Sequence, residues 1–328
     1  MIRILHLSNE GSSPQQFPLE QLPDLLRRRT GVTWLDLAEE SPETCEPILR
    51  DVFNFHPLAI YDALHETHAA KLDNWEDYLY LVLHGPLNEA GLDSSDHPPE
   101  LDVFMGKRYL VTHHYERMPI VDTVWDLSSK DGRLSKGGSD HIVFRLTEEI
   151  IRDHIRMLDE LEDDINGIED RIFKGKDNEI PEELFTFKRI LLKERATVGP
   201  MRDMFHVLAL ETLPLIDAHD RIFFRDIYEQ ILRLDGIVTH LRDLVTGTLD
   251  AYLSVVNNRM NDTMRLMAVI TTLFLPITFI TGFFGMNFFQ AAGATEFWTG
   301  VEVLVLALVC MLIVPVGMFT WMKRRGLF

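Results

Sequence analysis

The sequence has little cysteine and comparatively little basic charge, and these two scarcities exclude several classes of protein. It contains two cysteines, Cys45 in a charged region and Cys310 in an apolar one, so we expect neither a disulfide framework nor a thiolate metal site. Its 32 Lys and Arg are outnumbered by 51 Asp and Glu, which gives a net charge of −19. Nucleic acid is not an expected partner, because binding it requires clustered basic residues. Solubility alone would explain the acidity, and so would attraction of cations.

Motifs of common enzymes are also missing. No glycine-rich phosphate loop and no Ser-His-Asp constellation is present. The 13 histidines raise the question of a zinc enzyme, but His65 and His68 are one residue too close for the His-Glu-x-x-His motif. His113 and His114 are neighbours on a strand-like segment, so their side chains point in opposite directions. We therefore expect no enzymatic activity.

Charged residues are absent from two long stretches near the C-terminus. Residues 266–295 and 303–322 contain none, and a helix needs about 20 apolar residues to cross a bilayer. Arg259 and Arg265 precede the first stretch and Lys323–Arg325 follow the second, whereas the loop between them has no basic residue. The positive-inside rule then places both termini in the cytoplasm. A hairpin of buried helices in a soluble core is the alternative.

A proline-free stretch between Pro214 and Pro276 predicts one long helix, from about residue 218 to about residue 287. At 1.5 Å per residue it would be roughly 100 Å long and would continue from the cytoplasm through the bilayer. Two helices with an unrecognised break are the alternative. Apolar or large residues recur along it at steps of four and three, a heptad-like seam: Ile227, Ile231, Leu234, Val238, Leu241, Val245, Thr248, Tyr252 and Val255.

A second stripe follows on one face of the same helix as it enters the apolar region. Its amides, thioethers and hydroxyls suit a narrow wet pore, in which oxygens contact hydrated ions and Met or Leu gates by dewetting. Packing between membrane helices explains such residues equally well. Two helices cannot enclose a pore, so the pore interpretation requires several copies around an axis. The stripe is Leu253, Asn257, Met260 or Asn261, Met264, Met267, Thr271, Leu275, Thr278 and Gly282.

The segment from Pro276 ends in the tripeptide Gly285-Met286-Asn287, at the outer end of the first apolar stretch. With the upstream Pro, the Thr-Phe-Ile-Thr-Gly spacing and the segment 242–254, it resembles the signature of the CorA family of magnesium channels. The resemblance implies a homopentamer in the cell inner membrane, with the tripeptide as selectivity filter. It also implies pore-lining roles for Asn257, Asn261, Met264, Met267, Thr271, Leu275 and Thr278.

The same resemblance implies influx of Mg²⁺, and of Co²⁺ and Ni²⁺ as further ions. Gly285 would free the backbone to leave the helix. Asn287 would present one amide oxygen per copy to a cation that dehydrates reluctantly. Phe284 stands where many relatives have Tyr, and the following loop carries few acids. Two alternatives remain open: a transporter of Zn²⁺ or another transition metal on the same scaffold, and a membrane-tethered metal sensor without flux.

In the family that the sequence resembles, Mg²⁺ bound between subunits closes the pore. Asp226 matches the stalk carboxylate of that regulatory site. Glu89 falls where the partner acid of the α/β domain is expected. Carboxylates facing each other at a subunit interface repel until a divalent ion neutralises them.

The expected fold is an α+β membrane protein with an N-terminal cytoplasmic α/β domain, a long stalk helix and two C-terminal transmembrane helices. The N-terminus has too short an apolar stretch to be a signal peptide. Strands are expected at residues 3–7, 33–37, 78–83, 101–105 and 109–112. The expected divisions are an α/β domain (1–140), an acidic helical region (141–217), the stalk and first transmembrane helix (218–287), an external loop (288–300), the second transmembrane helix (301–322) and a basic tail (323–328).

Overall fold

The computed structural model describes most of the chain as two compact units, Met1–Leu249 and Asp250–Phe328. An α/β unit, a long helix and apolar C-terminal helices follow one another, which confirms the expected fold class. The described residues are 1–8, 14–28, 30–65, 67, 69–87, 97–130, 138–174, 179–216, 219–286 and 301–325.

Within the described residues, seven strands form one sheet in the order β2-β1-β3-β7-β6-β5-β4. Neighbouring strands are antiparallel except β3 and β7, which are parallel. Five of the strands match the expected segments, whereas the two edge strands, β2 and β4, were not predicted. The strands are β1 (Ile2–Leu7), β2 (Gln15–Phe17), β3 (Val32–Ala38), β4 (Lys71–Asn74), β5 (Tyr78–His84), β6 (Glu100–Gly106) and β7 (Tyr109–His114).

Helices cover both faces of this sheet. Three short helices, α1 (Leu22–Arg27), α2 (Pro42–Pro47) and α3 (Pro57–Ala63), contribute to the apolar core on one face. Because side chains alternate along a strand, Trp34 of β3 points to the other face. There its ring lies 4.9 Å from that of Trp125, in helix α4 (Pro119–Lys130). The N-terminal unit is therefore a three-layer sandwich.

Four longer helices follow in the described part of the chain: α5 (Gly138–Lys174), α6 (Ile180–Leu210), α7 (Arg221–Gly285) and α8 (Val301–Arg324). α7 is a single helix, as the proline-free stretch between Pro214 and Pro276 predicts, and it continues through Pro276 to Gly285. The first seven residues of the predicted seam, from Ile227 to Thr248, are buried, and the last two are half-buried. The Thr248 hydroxyl lies 3.2 Å from Oε1 of Glu169, so the seam contacts α5 at this residue.

Candidate ion-conducting face

Two helices in the described ranges are long and apolar enough to cross a membrane: α7 in its C-terminal half, and α8. Their apolar side chains are almost all exposed in a single copy. An apolar surface of this extent has to be covered by lipid or by further copies of the chain. Arg259 and Arg265 precede the span in α7, and Lys323 and Arg324 end α8. These are basic residues to which the positive-inside rule applies.

One side of the α7 span is covered within the chain. Val269 is 4% exposed, and half-buried residues follow it at helical spacing. Successive residues of a helix are rotated by roughly 100°, which places all of them on one side. α8 has a comparable stripe that contains the buried Ala307 and Met322. The covered stripe of α7 is Val269, Leu273, Pro276, Ile277 and Ile280.

The stripe that the sequence predicts to line a pore lies on the opposite side of α7. By the same rotation, its centre is about 180° from the covered stripe. The seven of its residues for which the resemblance implies a pore-lining role are all exposed, and Leu275 reaches 64%. We call this side, Asn257, Asn261, Met264, Met267, Thr271, Leu275 and Thr278, the polar face of α7.

Threonine hydroxyls on this face are oriented by the helix itself. The Thr271 hydroxyl donates to the carbonyl of Met267 at 2.9 Å, and the Thr278 hydroxyl donates to the carbonyl of Phe274 at 3.0 Å. A hydroxyl has one proton, so each oxygen keeps only its lone pairs for other partners. Both residues therefore present acceptors, which suit a cation or the waters around it. Thr272 and Thr281 make the same type of bond, and the helical rotation places them roughly 80–100° to either side of the centre of this face.

The outer end of α7 coincides with the tripeptide. The helix ends at Gly285, and Met286, with which this described range ends, is exposed. The Met286 amide lies 3.4 Å from the carbonyl of Phe283, a short-range bond typical of a final helical turn. Asn287, predicted as the filter residue, lies outside the described residues.

Of the two predicted regulatory acids, the described residues include one. Asp226 is exposed on α7, and Nε2 of Gln230 donates to its Oδ2 at 2.7 Å. Glu89 lies outside the described residues. Within the described ranges, no group of three or more His, Cys, Asp or Glu side chains is arranged to hold a metal ion. A divalent cation at Asp226 would therefore need ligands from elsewhere, such as another copy.

Most histidines of the sheet are engaged by carboxylates. Nδ1 of His113 lies 3.1 Å from Oδ2 of Asp102, whose Oδ1 accepts the Tyr80 hydroxyl at 2.6 Å. Burial raises the pKa of Asp102 to about 6, although His113 opposes the rise. Nε2 of His114 lies 3.4 Å from Oδ1 of Asp36. Burial would lower the pKa of His114, but Asp36 outweighs it and the net shift is upward. These contacts give the histidines structural roles.

One buried ion pair was not predicted from the sequence. His154 of α5 and Glu194 of α6 are in contact through Nδ1 and Oε1, and their side chains are 0% and 1% exposed. Nε2 of His154 lies 3.0 Å from the carbonyl oxygen of His84, in β5. The pair therefore joins two helices to the sheet. The only sequence signal for this pair is that His154 is a polar residue on the largely apolar side of α5.

Comparisons with known proteins agree with this architecture. Residues 29–324 match the family described as CorA-like Mg2+ transporter protein. The structure resembles that of the complete CorA magnesium transporter from Methanocaldococcus jannaschii, with a TM-score of 0.82 at 22% identity, covering 99% of this chain and 98% of that one. This likeness confirms the fold.

Three relatives cover nearly the whole sequence. The Bacillus subtilis protein YfjQ, named as a metal ion transporter, is 30% identical, with 100% of this chain and 99% of the relative aligned. The cobalt/magnesium transport protein CorA of M. jannaschii is 25% identical over 99% of both chains. The zinc transport protein ZntB of Yersinia pestis is 26% identical over 92% of this chain and 89% of its own length. With the family match spanning residues 29–324, the chain belongs to the family of CorA-like Mg2+ transporter proteins.

Proposed function

We propose that the chain is one subunit of a homopentameric channel that admits Mg²⁺, and also Co²⁺ and Ni²⁺, through the cell inner membrane. Both termini are cytoplasmic in this proposal, and residues 288–300 form the external loop. The observation that carries it is the polar face of α7, which lies opposite the side that the chain covers for itself. Lipid would leave the free lone pairs of the Thr271 and Thr278 hydroxyls without donors or cations to accept, whereas a wet axis shared by several copies provides them.

Ion conduction would use oxygens that hold a hydrated cation without trapping it. Thr271 and Thr278 present acceptors, because their hydroxyl protons are bonded to backbone carbonyls. A ring of such neutral oxygens suits Mg²⁺, which keeps its waters. Met264, Met267 and Leu275 alternate with them as apolar rings that would gate the pore by dewetting. The driving force is the membrane potential, about 4.6 kcal/mol per 100 mV for a double charge.

Selection of the ion is assigned to the Gly285-Met286-Asn287 segment at the outer end of α7. The helix ends at Gly285. A backbone released there would let Asn287 of each subunit turn its amide oxygen toward the axis. Asn287→Ala is expected to abolish selective Mg²⁺ flux while the assembly remains pentameric by native mass spectrometry.

Regulation is assigned to intracellular Mg²⁺ held between subunits by Asp226 of one copy and Glu89 of another. Asp226 offers an exposed carboxylate on the N-terminal part of α7. At low Mg²⁺, repulsion between the facing carboxylates would loosen the ring and open the pore. At high Mg²⁺, the bound ion would hold the subunits together and close it.

The four threonines of the α7 span provide a matched test of the conduction path. Thr271→Val and Thr278→Val remove acceptors from the polar face, whereas Thr272→Val and Thr281→Val remove the same backbone-bonded hydroxyls elsewhere. In liposomes loaded with a magnesium-sensitive dye, we expect the first pair to lower Mg²⁺ uptake at least about tenfold, which corresponds to about 1.4 kcal/mol. The second pair should stay within about twofold of the parent. Equal effects of both pairs would contradict the assignment.

Zinc transport is the second candidate, because the zinc transport protein ZntB aligns with 92% of this chain. The same liposomes with a zinc-sensitive dye separate the two candidates. The proposal predicts Mg²⁺ uptake that competing Zn²⁺ does not replace. Zn²⁺ uptake without Mg²⁺ uptake would favour the zinc transporter, and no uptake of either ion would favour a metal sensor without flux.

A further inference from the structure

A cavity of about 370 Å³ opens in the N-terminal unit, where α1 and the π-helical segment Ile48–Val52 meet the loop between β6 and β7. Pockets for small molecules start at about 300 Å³, so the cavity can hold a compact ligand. None of its lining residues is used in the proposed function.

The cavity has an apolar and aromatic floor. Leu25, Val52, Phe53 and Tyr109 line it, and Leu25 is buried while the other three are half-buried. The rings of Phe53 and Tyr109 lie 5.2 Å apart at an interplanar angle of 55°. The position of the Tyr109 ring depends on Gly106, because a Cβ there would lie 2.3 Å from that ring. Half-buried rings beside aliphatic side chains are a surface on which a flat aromatic group stacks.

The rim of the cavity is basic, in contrast to the chain as a whole. Arg28, Lys107 and Arg108 line it with one acid, Asp77, whereas the chain carries a net charge of −19. All three basic side chains are exposed. The charge of Arg28 also acts on His6. Burial first, and then this charge, hold the pKa of His6 below its usual value. Three cations around one opening form a site for a multiply charged anion.

We propose that this cavity binds a nucleoside di- or triphosphate, with the base against Phe53 and Tyr109 and the phosphates at Lys107, Arg108 and Arg28. A free phosphate would use the rim and leave the aromatic floor empty, whereas an uncharged aromatic compound would leave the cations unused. Asp77 offers an acceptor for sugar hydroxyls or for an exocyclic amine of the base. One ligand class satisfies all three parts of the cavity.

Binding is tested on the full-length protein in detergent by titration calorimetry. ATP and ADP are the probes, and tripolyphosphate and adenosine are the comparators that carry one half of the ligand each. We expect ATP or ADP to bind at least about tenfold more tightly than either comparator, since charge-assisted hydrogen bonds and stacking both contribute. Tripolyphosphate as tight as ATP would overturn the proposal in favour of a simple polyanion patch. Absence of ATP and ADP binding would overturn it outright.

Variants at the rim connect the binding to this cavity. Lys107→Glu changes an exposed turn residue and should weaken ATP binding at least about tenfold, and Phe53→Leu should weaken ATP but not tripolyphosphate. Lys188→Glu makes the same charge change at an exposed position of α6 and should leave ATP binding unchanged. Equal losses for Lys107→Glu and Lys188→Glu would place the nucleotide elsewhere. A change of oligomeric mass in Lys107→Glu without loss of ATP binding would assign the cavity to a contact between copies and overturn the proposal.

Discussion

The buried pair of His154 and Glu194 makes a quantitative prediction about the N-terminal unit. Both ring nitrogens of His154 face acceptors, Oε1 of Glu194 and, at 3.0 Å, the carbonyl oxygen of His84. A histidine that donates from both nitrogens is the charged imidazolium. Burial alone would lower the pKa of His154, but the charge of Glu194 and its hydrogen bond outweigh burial and raise it.

Removing one partner should therefore be far more costly than removing both. Glu194→Leu leaves a positive charge at a position with 0% exposure, and we expect it to lower the free energy of unfolding by about 3–5 kcal/mol. The double variant His154→Leu, Glu194→Leu removes both charges and leaves only the carbonyl of His84 without its donor. That loss should cost about 1–3 kcal/mol, less than the single change.

The assay is denaturant unfolding of the full-length protein in detergent, followed by far-ultraviolet circular dichroism. Arg152→Gln is the control, since Arg152 pairs with Glu149 on the surface of α5 and should contribute less than about 1 kcal/mol. A double variant that is no more stable than Glu194→Leu would refute the argument, because the single variant would then contain no unpaired-charge penalty.

The same pair predicts a pH dependence. The folded pKa of His154 is raised, so its contribution to stability is complete below about pH 6.5, its unfolded value, and is lost as the pH rises through the folded pKa. The stability difference between the parent and the double variant should therefore shrink in alkaline buffer. A difference that grows with pH would contradict the assignment of an imidazolium.

Two further predictions concern other parts of the chain. Asp226→Ala should weaken closure of the channel by millimolar Mg²⁺ in liposome flux assays. The control is Asp243→Ala, which removes another exposed acid of the same helix and should leave this closure unchanged. Unchanged inhibition by Mg²⁺ in Asp226→Ala would contradict the regulatory role. Gly31→Ala should lower the unfolding free energy by at least about 1 kcal/mol, because Gly31 has φ +86° and a Cβ there would lie 2.3 Å from the carbonyl oxygen of Leu7. A melting temperature equal to that of the parent would contradict this prediction.

Several elements could be predicted from the sequence because their signals are periodic and local. The seam from Ile227 to Thr248 repeats every three or four residues, and its burial follows from that repeat. The two apolar spans are evident because they are long and uncharged. The polar face of α7 was predicted by the same spacing, and its residues share one exposed side of the helix.

Features that depend on long-range contacts could not be predicted in the same way. The edge strands β2 and β4 are three and four residues long, and each is defined by its pairing with a neighbouring strand. His154 and Glu194 are 40 positions apart, and His154 lies in α5, whose many acidic residues are typical of a solvated surface. Their contact exists only because α5 and α6 pack together. The roles of Glu89 and Asn287 stay predictions.

The central claim is that the polar face of α7 borders water, and cysteine accessibility tests it most directly. In a Cys310→Ser background, Thr278→Cys places a thiol on that face, and Ile270→Cys places one about 80° away along the helix surface. A charged, membrane-impermeant thiol reagent applied to liposomes should modify Thr278→Cys and block Mg²⁺ flux, and leave Ile270→Cys conducting. Modification of Ile270→Cys with Thr278→Cys protected would contradict the claim.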